Sequence, residues 1–286
     1  MSENEPDLRS VSKALFTFVK CASNLAFIGE VSAVVLGAWF AFTRVPEWRN
    51  IPALAVLALA VSFLHGVADR WKDQADGLLR LLDIEDGLGV ATAPRDRVDA
   101  LAEVSDSAIR LAGWRPAAAA YFASATAGSP RRLVENMRES AWWTTRIGRS
   151  AEAMQKLSVW IFGGLGVGVL ALGALRPGAL THGVEGFLAS PSFLIAVLLF
   201  LFTSGPYKRI GEYRAFHEAA REIDARAERM LDAPERITEA AARQLAADYH
   251  LARKGSPLLP GFIWSMRQRK LNRLWNSVAR HGALPA

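Results

Sequence analysis

Few residues of this chain have the types and spacing that chemistry requires. His217-Glu218-Ala219-Ala220-Arg221 opens like the HExxH helix of a zinc protease, but Arg221 stands where the second histidine ligand must be. That site cannot form. The five histidines and the single cysteine, Cys21, show no pairing at metal-ligand spacing. No GxSxG elbow and no phosphate loop ending in GK[ST] is present. Asp83, Glu85 and Asp86 cluster beside Gly87, and at a helix end such a cluster reads as a solvated turn rather than a general acid pair. The expectation is a chain that is not an enzyme and carries no metal or cofactor.

Glu30 is a different matter. It lies inside an apolar run, with Asn24 and Ser32 nearby. A carboxylate at the centre of a bilayer costs on the order of 2.5–3.5 kcal/mol on insertion scales, so it should face protein or water. Two readings stand side by side. Glu30, Asn24 and Ser32 line a pore that prefers cations, or Glu30 is hydrogen-bonded to another helix, with His65 as a candidate partner. In a second apolar run Gly164 and Gly168 form a GxxxG pair, the pattern of close helix–helix approach in membranes. The contact is expected within one protomer, with an oligomer contact around a pore as the alternative.

Two basic stretches are candidates for binding a phosphate-bearing ligand. Arg131, Arg132 and Arg138 precede Trp142 and Trp143 on one helix, and guanidinium forks match phosphate oxygens while indoles stack on bases. A helix N-terminus adds a preference for anions. Arg269 and Arg273 lie in a basic C-terminal helix. The plainer readings are a solvated helix face for the first stretch and binding of anionic lipid heads for the second.

The elements that must position these residues follow from how charge and apolarity are segregated. The 286 residues are 51% hydrophobic with mean hydropathy +0.13, yet 22% are charged. Both figures fit one chain when apolar spans alternate with charged helices. The sequence predicts an all-α membrane protein with four transmembrane helices in two hairpins, extended into a helical cytosolic domain. Its segments are 1–21, an N-terminal cytosolic piece; 22–67, the first hairpin; 68–156, a cytosolic helical insert; 157–203, the second hairpin; and 204–286, C-terminal cytosolic helices. The spans are read as Ala22–Phe42, Ile51–Val67, Leu157–Leu175 and Phe187–Thr203.

Ser129 is a plausible N-cap and Pro130 a first helical residue, opening one helix that runs from charged to apolar sequence. Pro94 is read as opening a single helix with Val98, Leu101, Val104, Ala108 and Leu111 on one face. The Lys and Arg counts set the orientation. The two short loops carry two and one, the N-terminal tail three, the central segment thirteen and the C-terminal tail fifteen. Both termini and the centre are therefore expected in the cytosol. The net charge of +6 is assigned to anionic lipid and the positive-inside rule rather than to DNA or RNA. One cysteine allows no intrachain disulfide.

Two stretches carry a resemblance. They are Ser129–Thr145, SPRRLVENMRESAWWTT, and Asp248–Trp275, DYHLARKGSPLLPGFIWSMRQRKLNRLW, with its PxxP segment, aromatics and basic helix. Together with paired hairpins flanking a cytosolic insert, they make the chain resemble the four-transmembrane pore-forming effectors of bacterial anti-phage systems, which accompany enzymes that make cyclic oligonucleotide signals. Met266 and Gln268 interrupt the basic pattern, and Gly261 stands where a polar or acidic residue would be expected. The resemblance implies a homo-oligomeric inner-membrane effector that permeabilises the bilayer when a cytosolic signal, a cyclic oligonucleotide, is sensed. It transfers no catalytic residue. The competing expectation is a membrane-anchored interaction protein without a pore, whose basic helices recruit a partner or lipid.

Overall fold

A computed structural model describes residues 7–43, 47–112, 122, 124, 126–174, 206–259 and 261–282. The described residues form eight α-helices and no strand. These are α1 (Leu8–Thr43), α2 (Glu47–Leu88), α3 (Pro94–Ala102), α4 (Asp106–Ala112), α5 (Pro130–Ala174), α6 (Pro206–Leu231), α7 (Glu239–Lys254) and α8 (Gly261–Gly282). A single 3-10 turn, Pro234–Arg236, precedes α7. The all-α expectation holds. The segment expected as the fourth span and the loop before it lie outside the described residues.

The chain divides into two units. The first comprises 1–18, 71–152 and 212–286, and the second comprises 19–70 and 153–211. Each of α1, α2, α5 and α6 contributes residues to both.

The first unit has two apolar cores. In one, Leu133, Met137 and Ala141 of α5 meet Ile223 and Ala227 of α6 and Leu245 and Tyr249 of α7. In the other, Leu8 and Leu15 of α1 meet Ala75, Leu78 and Leu82 of α2 and Val104 and Ala108 around α4. Apolar residues recur at three- and four-residue spacing on these faces, as in Ala75, Leu78 and Leu82 or Leu133, Met137 and Ala141, and each fully buried leucine contributes about 1.5–3 kcal/mol. Local caps place the helix starts. Ser129 Oγ accepts the Arg132 N–H at 3.2 Å, and Thr238 Oγ1 accepts the Ala241 N–H at 3.2 Å. Gly89, at φ +68°, terminates α2, and its N–H donates to Glu85 O at 2.9 Å. A methyl group on Gly128 would lie 2.5 Å from the Gly89 Cα, so two backbones cross here with no room for a side chain.

The single helix expected from Pro94 is two. α3 ends at Ala102, and Ser105 O restarts the ladder by accepting from Ala108 and Ile109 at 2.9 and 3.2 Å. Val98 consequently stays exposed while Val104 and Ala108 are buried. The acidic cluster is likewise no solvated turn. Asp83 is buried, with Oδ2 3.3 Å from His250 Nε2; Glu85 Oε1 accepts the Thr92 N–H at 2.6 Å; Asp86 pairs with Arg9.

Helices α1 and α2 carry stretches long and apolar enough to cross a membrane, within Leu8–Gly37 and Ile51–Leu88. Only 28% and 17% of their most apolar windows are covered by protein. A core helix of a soluble protein would be mostly covered. Here Leu25, Phe27, Val35, Val56, Leu59 and Phe63 remain exposed, a surface that suits lipid.

Candidate functional site

The second unit holds a charged cluster. α1 supplies Glu30, α2 supplies His65 and the first turns of α6 supply Arg209. His65 Nε2 lies 2.7 Å from Glu30 Oε1, and Arg209 Nη2 lies 3.6 Å from the same oxygen. Arg209 Nη2 is also 3.2 and 3.0 Å from the two ring nitrogens of His65. One donor nearly equidistant from both nitrogens is not aimed at a single lone pair, so the guanidinium lies against the ring and draws on the carboxylate charge. The Glu30 side chain is 3% exposed, against 21% for His65 and 25% for Arg209.

The local sequence explains why α1 and α2 approach here. A methyl group on Gly29 would come within 2.6 Å of Val61 Cγ2 and 3.7 Å of Leu57 Cδ1. Only a residue without Cβ lets the two helices close at that level. Val61 and His65 are one turn apart on α2, so closure at Gly29 brings His65 against Glu30.

The cluster can keep a carboxylate charge in an apolar setting, or uncover that carboxylate when the helices part. It is poorly suited to holding a metal, since among the described residues no three His, Cys, Asp or Glu side chains converge.

Of the intramembrane polar residues expected to act together, Glu30 alone joins this cluster. Asn24 is exposed and Ser32 half-buried, and six- and two-residue spacings put them on other faces of α1. Around Gly164 nothing lies within 4 Å of where a Cβ would stand, among the described residues. Gly168 is helical, but its surroundings lie outside them.

Of the six candidate ligand residues, Arg131, Arg132, Arg138 and Trp142 belong to α5 and Arg269 and Arg273 to α8. Arg131 Nε donates to Glu135 Oε1 at 2.9 Å, and Glu135 Oε2 accepts from Ser124 and Thr126 at 2.6 and 2.8 Å. Arg132 Nη1 donates to Thr126 O at 2.9 Å. These two arginines thus fasten the turn that enters α5. Burial pushes the Glu135 carboxyl up, but the hydrogen bonds from Ser124, Thr126 and Arg131 and the Arg131 charge bring it below its ordinary value.

Arg138 bridges α5 to α6 through Glu228 at 2.7 Å and Asp224 at 3.8 Å. Burial raises the Asp224 pKa, and nearby Glu228 adds to the rise, while Arg138 and Arg146 oppose it. Trp142 is buried, 5.2 Å from Trp275 between ring centroids and covered by the Arg146 guanidinium at 3.7 Å. Arg269 and Arg273 of α8 are exposed.

Sequence reasoning named His65 as a candidate partner of Glu30 but missed Arg209. It also missed a similar triad in the first unit. Glu152 Oε2 is 2.7 Å from His217 Nε2, and Arg214 Nε donates to Glu152 Oε1 at 3.2 Å. The signal was a carboxylate in the buried α5 stripe, one turn after Gly148 and next to Ala151. Gly148 makes room for the imidazole, since a methyl group there would stand 3.0 Å from His217 Cβ.

No family model, curated protein or solved structure matches the chain.

Proposed function

We propose that the chain is a multi-pass membrane effector that permeabilises the bilayer when a cytosolic signal acts on its first unit. The observation that carries this reading is Glu30, buried in an apolar helix pair and held by His65 and Arg209. An anchor has no need of charges in its spans, and retaining them costs free energy. A cluster of opposed charges between lipid-facing helices is a natural element to open, because parting it exchanges protein partners for water. A signal biases such an element only by binding one of its states better than the other.

In this reading four helices cross the bacterial inner membrane, with both termini cytosolic. Homo-oligomers form the conducting path, because four spans from one chain leave little room for it. The resemblance to anti-phage effectors supplies a cyclic oligonucleotide as the signal and growth arrest or cell death as the outcome. The test is dye and ion leakage from liposomes carrying the purified protein, with and without a panel of cyclic oligonucleotides. Leakage triggered by one of them supports the reading. Silence throughout, with insertion verified, sinks it.

One observation favours a second reading. The Glu30 charge is already matched by Arg209 and its oxygen by His65, which suits a purely structural clasp in a membrane-anchored interaction module. That reading predicts intact membrane potential on overproduction and a silent Glu30→Gln.

A further inference from the structure

Residues 251–286 contain seven Lys and Arg and no Asp or Glu. Most of α8 falls in this stretch's second half. It buries Ile263, Leu271 and Trp275, and its Trp275 and Trp264 rings meet Trp142 and Trp143 of α5 at 5.2 and 4.9 Å. The opposite face is uncovered. Phe262 is 50% and Met266 70% exposed, and Arg269 and Arg273 project beside them. At 100° per residue these four lie within roughly 60° of one another on the helix. Lys270 flanks them.

The cations on this face differ from those that tie the helices of the first unit together. Arg138, Arg226 and Arg253 each sit against a carboxylate. Arg269, Lys270 and Arg273 form no ion pair among the described residues. Arg273 Nε donates only to Arg269 O, at 3.4 Å.

We propose that this outward face of α8 lies on an anionic lipid surface. Charge complementarity selects an anionic partner, and the interleaved apolar side chains select lipid among anions. Phe262 and Met266 enter the boundary between headgroups and acyl chains, while Arg269, Lys270 and Arg273 reach the phosphates along their aliphatic stems. A nucleic-acid backbone would use the cations and leave Met266 in water. The inference holds whether or not the protein forms a pore.

The test uses the full chain with Cys21→Ser and Met266→Cys, carrying an environment-sensitive fluorophore at position 266. The protein is placed in lipid nanodiscs, where both faces are open to solvent. In discs containing phosphatidylglycerol the label emits at shorter wavelength and is several-fold less accessible to iodide than in discs of phosphatidylcholine alone. High salt reverses the difference. Arg269→Gln with Arg273→Gln weakens the association by roughly an order of magnitude. Both side chains are exposed, so the fold survives, as an unchanged melting curve would verify. Equal shielding in the two lipids places the label against protein and overturns the proposal. So does full aqueous exposure in both, or shielding that requires added RNA.

Discussion

Glu152 illustrates what a single residue does in this molecule. Its carboxylate is buried and serves His217 and Arg214 together. Removing it leaves a buried imidazole nitrogen without its acceptor, which costs about 1–3 kcal/mol. Glu152→Ala should therefore lower the melting temperature of the first unit, and Glu152→Gln should recover part of the loss by accepting from His217.

Glu135 makes a pH prediction. Its folded pKa lies below the ordinary carboxylate value, so its contribution to stability is present above that value and is lost as the pH falls through the folded one. Thermal unfolding from neutral to acidic pH should show a stability loss that Glu135→Gln flattens. Asp224, with its pKa raised chiefly by burial, works in the opposite sense and favours the fold as the pH drops. Such residues were hard to read in the sequence for a physical reason. Asp83 meets His250, Asp86 meets Arg9 and Glu30 meets Arg209, and no local spacing encodes partners so distant in the chain.

Helix ends were legible because their chemistry is local. The Ser129 cap and Pro130 at the start of α5 lie where the residue types put them. The break between α3 and α4 was hidden because Val98, Leu101, Val104 and Ala108 keep helical spacing across it, while Ser105 and the N–H groups that follow it restart the ladder. The Trp142–Trp275 and Trp143–Trp264 contacts were also illegible, since they join α5 to α8 across the sequence. At this scale the glycines make the sharpest predictions. Gly29→Leu should force α1 and α2 apart at Val61 and separate His65 from Glu30. Distances between spin labels on the two helices would report the opening. Gly128→Ala should destabilise severely, because the added carbon meets the Gly89 backbone rather than a side chain that can turn away.

For the whole molecule, the segregation of apolar and charged sequence reappears as two units that share four helices. One unit buries Leu8, Leu78, Leu133 and Leu245 and ties its helices with ion pairs such as Arg138–Glu228 and Arg253–Asp76. The other leaves large apolar side chains of α1 and α2 uncovered. That inversion is the pattern expected when the solvent of the second unit is lipid. The central claim is that the Glu30–His65–Arg209 cluster governs permeability.

It is tested most directly by comparing signal-triggered ion leakage from liposomes carrying the wild-type chain with leakage from liposomes carrying Glu30→Gln at matched insertion. The account predicts that the substitution changes the leak by at least about tenfold, because a buried charge-assisted contact worth ~1.5–3 kcal/mol is removed from one state of the bundle. Leakage that is identical in the two proteins, in rate and in ion preference, would contradict it.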